Sequence, residues 1–158
     1  MKNKIVSLRR LKTILRTSGK KKIIVFTNGC FDIVHAGHVR YLNKAKSLGD
    51  MLVVGLNTDS SVRQIKGDKR PIVPQRERAE LLAGLEAVDY VVLFNEPTPI
   101  KLIKAILPNV LVKGADWASH EIVGAEVVKA AGGKITRIKL VQGRSTTNII
   151  KKILELHR

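Results

Sequence analysis

The sequence predicts a doubly wound α/β fold: a parallel, five-stranded Rossmann-like sheet with helices on both faces. Three observations carry that prediction. Short Val/Ile/Leu-rich runs alternate with helical patterns along the chain, as parallel strands joined by crossover helices require. Aromatic residues make up only 4% of the chain against 44% hydrophobic residues overall, so the core is aliphatic, as suits strands buried on both faces. The 158 residues are enough for one domain with a proper core. Right-handed crossovers complete the topology.

The elements follow in order. Residues 5–17 carry Ile5, Leu8, Leu11, Ile14 and Leu15 at helical spacing, and Gly19 is a stop signal. Strand-like runs recur at 23–26, 51–56, 90–94, 110–112 and 135–140. Between them, 39–48, 75–85, 99–107 and 121–131 read as helices, and a last helix spans about 146–156. The stretch 59–74 has no clear period. It carries Arg63, Lys66, Lys69 and Arg70 around Gly67 and is expected to form a mobile lid. One domain is expected over 1–158, with a basic N-terminal helix (1–22) before an α/β core (23–158).

Charge is lopsided, with 29 Lys and Arg against 13 Asp and Glu. Residues 1–22 contain no acid, and Asp32 is the first carboxylate. Such an excess draws anionic ligands, although many of these lysines simply coat helix faces. No apolar run approaches the roughly 20 residues of a membrane span, and no signal-peptide core is evident. The lone Cys30 cannot form an internal disulfide, which fits a reducing cytoplasm. No Cys/His spacing suggests a protein-held metal.

In doubly wound folds, ligands lie beyond the carboxyl ends of the strands, and the chemistry-bearing motifs fall there. After the first strand comes Asn28-Gly29-Cys30-Phe31-Asp32, then His35-Ala36-Gly37-His38 at the start of a helix. A glycine-bearing turn into a helix N-terminus is a ready anion site. Histidines at i and i+3 share a helix face, so both imidazoles can meet one phosphate, and the small Ala36 and Gly37 permit close approach. Ser145, Thr146 and Thr147 open the last helix, where hydroxyls and free N–H groups can bind phosphate or simply cap the helix. Lys66 could act as a point charge on phosphate and Arg78 could fork onto phosphate oxygens, although in so basic a chain a solvated surface role is the leading reading for any single Lys or Arg until the family pattern is weighed. Lys113-Gly114-Ala115-Asp116-Trp117 follows the fourth strand.

The pairing of Gly29-Cys30-Phe31-Asp32 and His35-Ala36-Gly37-His38 with Gly143-Arg144-Ser145-Thr146-Thr147 resembles the nucleotidyltransferases that carry an H-x-G-H signature. The resemblance runs from residue 23 onward. It includes Asn57-Thr58-Asp59-Ser60, Lys66-Gly67, Arg70-Pro71-Ile72, Arg76-Glu77-Arg78-Ala79, Val88-Asp89-Tyr90-Val91 and Leu111-Val112-Lys113-Gly114. Within that group the chain is similar to the adenylyltransferase half of the ADP-heptose synthesis enzymes of lipopolysaccharide core biosynthesis.

The resemblance implies transfer of AMP from ATP to a heptose 1-phosphate, with Mg²⁺ bound through the nucleotide phosphates. His35, His38, Lys66 and Arg78 are then catalytic. Asn28, Gly29, Cys30, Phe31, Asp32, Gly37, Ser145, Thr146 and Thr147 bind nucleotide, with no catalytic role for the Cys30 thiol. Lys113, Gly114, Asp116 and Trp117 bind the acceptor. It also implies a homodimer and a separate sugar kinase in the pathway. Heptose members more often carry Gly-Gly-Asp-Tyr where this chain has Gly114-Ala115-Asp116-Trp117, and glycerol-phosphate cytidylyltransferases carry Gly-Asp-Asp-Trp. Glycerol 3-phosphate with CTP, and FMN with ATP, therefore stay open. So do a non-catalytic nucleotide sensor and a basic nucleic-acid-binding protein, although an interleaved aromatic platform is missing.

Overall fold

The computed structural model describes residues 4–17, 21–116, 118, 121–139 and 145–157. Five strands, β1 (Ile24–Gly29), β2 (Met51–Asn57), β3 (Tyr90–Phe94), β4 (Val110–Gly114) and β5 (Lys134–Ile138), form one parallel sheet in the order β3-β2-β1-β4-β5. The chain runs outward from β1 through β2 to β3, then returns to β4 on the other side. The order thus reverses between β1 and β4, which is where such sheets open a crevice.

Side chains alternate across the pleat and build two cores. On one face, Val25, Leu52, Val54, Leu56, Val91, Val110 and Val112 pack against Tyr41, Leu42 and Ala45 of α2 (Ala36–Lys46) and Ala79 and Leu82 of α4 (Gln75–Gly84). On the other, Phe26, Val53, Val92, Phe94 and Leu111 meet Leu11 of α1 (Leu8–Thr17), Leu102, Ile103 and Ile106 of α5 (Ile100–Ile106), and Ala125 and Val128 of α6 (Ala125–Ala130). Each such Val, Leu, Ile or Phe side chain contributes roughly 1.5–3 kcal/mol by leaving water. β2 is buried at every position, as its unbroken apolar run requires.

The N-terminal helix is shorter than its apolar spacing suggests. Residues 4–6 are extended against the outer edge of β3: Val91 N–H donates to the Lys4 carbonyl (2.9 Å) and Val6 N–H to the Val91 carbonyl (3.0 Å). Ile5 then packs with one core and Val6 with the other. This pairing occupies backbone groups that an edge strand would otherwise expose. Asp89 joins α2 to the sheet, accepting from Lys46 Nζ and from the N–H of Leu52, both at 2.6 Å.

The larger difference lies in residues 59–74. Residues 59–66 form a helix, α3 (Asp59–Lys66), capped by the Thr58 hydroxyl, which accepts from Ser61 N–H at 3.3 Å, and ended by Gly67 at φ +89°. Only Val62 is a buried apolar residue of α3, and the buried Ser61 bonds the Asn57 amide and the Glu96 carbonyl. A helix anchored by polar groups shows no apolar stripe, which hid it. The signals that could have found it are the Thr58 cap and the Gly67 stop.

The helix that opens at Ser145 is α7 (Thr146–Leu156). It has no buried residue, and Ile153, Leu154 and Leu156 are exposed. Among the described residues, no helix is long and apolar enough to cross a membrane.

Candidate active site

A cleft of about 570 Å³ opens over the carboxyl ends of β1, β2 and β4. It gathers Asn28, Gly29, Cys30, Phe31, Asp32, His35, Gly37, His38, Lys66, Lys113, Gly114, Asp116, Ser145, Thr146 and Thr147 along its walls. Segments more than a hundred residues apart in sequence thus meet in one place. Trp117, Gly143 and Arg144 lie outside the described residues.

His35 and His38 form one unit at the start of α2. His35 is the N-cap, and its Nδ1 accepts the Gly37 N–H at 3.1 Å. The His38 Nδ1 accepts the His35 N–H at 3.4 Å, so the pair closes a capping box made of imidazoles. The two rings stack at 4.0 Å between centroids. Because each Nδ1 accepts a hydrogen bond, the ring proton of each neutral imidazole sits on Nε2. Burial, followed by the nearby His35, lowers the His38 pKa to about 4. At neutral pH His38 is therefore an uncharged donor with its tautomer fixed by the backbone, suited to stabilising charge that develops on a phosphate.

Phe31 supports this unit. Its backbone lies in the left-handed region (φ 46°), which costs a non-glycine residue about 1–3 kcal/mol and recurs at functional sites. The ring sits 5.3 Å from that of His38. A Cβ on Gly29 would stand 3.0 Å from the Phe31 ring, so a larger residue there would press on that ring.

On the opposite wall, Ser145 caps α7, its Oγ accepting from Asn148 N–H at 3.1 Å. The Thr146 hydroxyl donates to the Ile33 carbonyl at 3.3 Å, docking the start of α7 onto the turn that carries the histidines. Two helix N-termini, α2 and α7, thereby flank one cleft.

Lys113 lies at the end of β4, and its ammonium donates to the Asn28 Oδ1. Burial lowers its pKa to about 8, only partly opposed by Asp116 and Cys30. Asp116 is exposed at the cleft. Beside them, the Tyr41 hydroxyl shares a 2.8 Å bond with Thr27, and burial pushes its pKa up to about 12. The Cys30 thiol is likewise pushed up by burial, against the charges of Lys66, Arg78 and Arg70.

Arg78 departs from expectation. Its side chain is fully buried and is not among the residues lining the cleft. Nε donates to the Val73 carbonyl (2.9 Å), Nη1 to the carbonyls of Cys30 (2.5 Å) and Asn57 (2.9 Å), and Nη2 to Asp59 (2.7 Å). Its donors tie together the ends of β1 and β2, the start of α3 and the loop before α4, so it braces the cleft from below rather than forking onto phosphate.

Asp32 departs similarly. Its carboxylate accepts from the N–H groups of Ile72 (2.9 Å) and Val73 (2.8 Å) and from Arg70 Nε (2.5 Å). Burial would raise its pKa, but these donors outweigh burial and hold it below the usual carboxylate range. Asp32 fastens residues 70–73, so the expected lid is reduced to the exposed Gly67, Asp68 and Lys69. Lys66 reaches the cleft from the last turn of α3, not from a loop.

Sequence reasoning missed further lining residues. Tyr41 reads only as part of a helix, Ile65 only as part of the patternless 59–74 stretch, Asn57 only as a match to the resemblance, and Arg70 as a basic residue of that stretch and a match to the resemblance. Pro97, Thr98 and Pro99 precede α5, and Glu121, Ile122 and Val123 precede α6. The last two groups carry no local motif and reach the cleft because α5 and α6 start at the same end of the sheet.

Comparison with known proteins identifies the family. Residues 26–152 match the family model described as cytidylyltransferase-like. A curated protein named bifunctional protein HldE from Citrifermentans bemidjiense is 57% identical over 141 residues, covering 89% of this chain and 29% of that protein. The HldE of Campylobacter concisus is 56% identical over 151 residues, covering 96% of this chain and 31% of that protein. The chain thus spans under a third of these relatives' length. Among solved structures, a lipopolysaccharide core biosynthesis protein from Thermoplasma volcanium superposes with a TM-score of 0.66 at 31% identity, covering 77% of this chain and all of that one. Pantoate-beta-alanine ligase from Francisella tularensis shares the fold at 18% identity, with a TM-score of 0.61 over 98% of this chain and 79% of that one. The chain belongs to the cytidylyltransferase-like family of nucleotidyltransferases.

Proposed function

We propose that this cytidylyltransferase-like chain transfers AMP from ATP to a sugar 1-phosphate of the heptose type, giving ADP-heptose and pyrophosphate. The single observation that carries the reading is the pair of stacked, backbone-anchored imidazoles at the start of α2, set across one cleft from the Ser145–Thr147 start of α7. The likeness to proteins named HldE and to a lipopolysaccharide core biosynthesis protein supports the heptose acceptor.

In this reading the triphosphate lies between the two helix N-termini. The acceptor's phosphate oxygen attacks the α-phosphorus in line, and pyrophosphate leaves. A phosphate dianion is already a nucleophile, so the protein's work is positioning and charge stabilisation. His35 and His38 donate from Nε2 to the α-phosphate oxygens and the bridging oxygen as charge builds there. Ser145, Thr146, Thr147 and Lys66 hold the departing pyrophosphate. Asn28, Gly29, Cys30, Phe31 and Gly37 form the floor that admits the nucleotide. Lys113, Gly114 and Asp116 receive the acceptor.

Mg²⁺ is the natural counter-ion of such a triphosphate and would neutralise its oxygens. The site fits an ion that arrives on the nucleotide. Exposed Asp116 and Glu121 line the same cleft, so its wall tolerates the positive charge of an ion carried in on the phosphates. The same reading makes the protein a cytoplasmic homodimer, for which the exposed Ile153, Leu154 and Leu156 of α7 offer an apolar face.

The test is a pyrophosphate-release assay with ATP and with CTP against D-glycero-D-manno-heptose 1-phosphate, other sugar 1-phosphates, glycerol 3-phosphate and FMN. Release with ATP and a heptose 1-phosphate is expected. A preference for CTP and glycerol 3-phosphate would replace the acceptor assignment.

A further inference from the structure

Arg70 is the cleft-lining arginine that uses only its Nε donor. Its side chain is 21% exposed, and its Nε donates to Asp32 Oδ2 at 2.5 Å. Among the described residues, neither Nη1 nor Nη2 makes a hydrogen bond. Arg78 is the opposite case: all three of its nitrogens donate to protein oxygens, and it lies away from the cleft.

The segment carrying Arg70 is fastened independently of the Arg70 side chain. Asp32 accepts the N–H groups of Ile72 and Val73, and Arg78 Nε donates to the Val73 carbonyl. Asp32 therefore stays satisfied if the guanidinium shifts, and the loop does not depend on the Arg70–Asp32 pair for its path. A guanidinium held by one edge, with its planar Nη pair presented to a cleft, has the geometry that binds a phosphate oxyanion through two parallel bonds. The Nε bond to a buried carboxylate limits the side-chain freedom that such binding would otherwise have to freeze.

We propose that Arg70 is a phosphate-binding residue of this cleft, oriented by Asp32 through Nε and gripping the oxyanion through Nη1 and Nη2. This inference rests on the reading that the cleft receives a nucleotide and a sugar phosphate. Either ligand can supply the oxyanion. Arg70 adds to Lys66 a planar fork where Lys66 offers a point charge, and it takes the role that the family resemblance implied for Arg78.

The test is calorimetric binding of ATP, pyrophosphate and D-glycero-D-manno-heptose 1-phosphate to the full chain and to Arg70→Gln and Arg70→Lys, with thermal melts of all three. Arg70→Gln is expected to weaken one ligand class about 10-fold or more, on the scale of a charge-assisted hydrogen bond. Arg70→Lys, which keeps the charge and loses the fork, should fall between it and wild type. Weakening of ATP and pyrophosphate assigns the oxyanion to the nucleotide, and weakening of the heptose phosphate alone assigns it to the acceptor. Unchanged binding of all three overturns the proposal, as does a loss that merely follows a collapse of the melting temperature in both variants. Pyrophosphate release by wild type, measured in parallel, separates the two readings. Weakened binding in Arg70→Gln without any wild-type turnover would sink the transferase and leave Arg70 standing, whereas turnover with no Arg70 effect would do the reverse.

Discussion

His38 accepts the backbone N–H of His35 through Nδ1 while its ring stacks on that of His35 at 4.0 Å. The two imidazoles are thus helix caps and candidate phosphate donors at once, and the cap fixes which nitrogen carries the proton.

Removing one preorganised donor of this kind costs about 10²–10³ in turnover. His38→Ala is expected to lose at least ~100-fold in kcat. Loss of the cap bond costs only about 1 kcal/mol of stability. Steady-state kinetics together with a denaturant titration separate the two effects, and near-normal turnover would remove His38 from the chemistry.

The lowered pKa of His38 has two consequences for pH. An ordinary histidine titrates near 6.5, whereas His38 stays neutral down to about 4. Turnover should show no inflection from His38 between pH 5.5 and 7.5. For stability, the unfolded chain binds more protons than the native one between about pH 4 and 6.5, so stability falls as pH drops through that window. His38→Asn should flatten that part of the curve in denaturant titrations at several pH values.

Lys113 works in the opposite range. With its pKa lowered to about 8, it loses its charge well below an ordinary lysine. If it binds the acceptor phosphate, the KM for the sugar phosphate should rise above pH 8 in wild type, and Lys113→Arg should move that limb to higher pH. Between pH 8 and 10.5 the unfolded state holds a proton that the native state has released, so native stability increases with pH there. Lys113→Gln removes this slope. An acceptor KM independent of pH from 7 to 9 would speak against the role.

Arg78 should behave as a brace. Arg78→Met leaves the Cys30 and Asn57 carbonyls and the Asp59 carboxylate without their donor, and breaking a buried charged network from one side costs about 3–5 kcal/mol. A shift of that size in chemical denaturation is expected. Full stability combined with lost ATP affinity would instead return Arg78 to phosphate binding.

Amide exchange tests the fastening of the 70–73 loop. The N–H groups of Ile72 and Val73 point at Asp32 and should exchange slowly, while those of Asp68 and Lys69 exchange fast. Asp32→Asn should raise the Ile72 and Val73 rates at least ~10-fold, because a neutral amide accepts these bonds less strongly than a carboxylate. Unchanged rates would show that the loop is held by something other than Asp32.

Much of this was legible in the sequence, and the rest fails for identifiable reasons. The aliphatic runs at β1 to β4 and the helical spacing at α2, α4 and α5 locate the sheet and its crossovers, because burial on both faces leaves a strong pattern. The two histidines and the Ser145–Thr147 cap are readable because local geometry and chemistry coincide there. α3 is not readable from periodicity, since polar bonds of Ser61 and the Thr58 cap hold it where apolar burial usually would. The different placements of Arg70 and Arg78 are also invisible in one dimension. Arg70 lies in the loop before α4 and Arg78 in the first turns of α4, and only the fold shows that the Arg78 guanidinium is buried against carbonyls while Arg70 lines the cleft.

The most direct measurement is pyrophosphate release by wild type and His38→Ala, supplied with ATP and D-glycero-D-manno-heptose 1-phosphate. Sugar-dependent release by wild type, reduced at least ~100-fold in the variant, is the predicted result. Absence of release with any sugar phosphate, or equal rates in the two proteins, would contradict the assignment of this cleft as a nucleotidyl-transfer site.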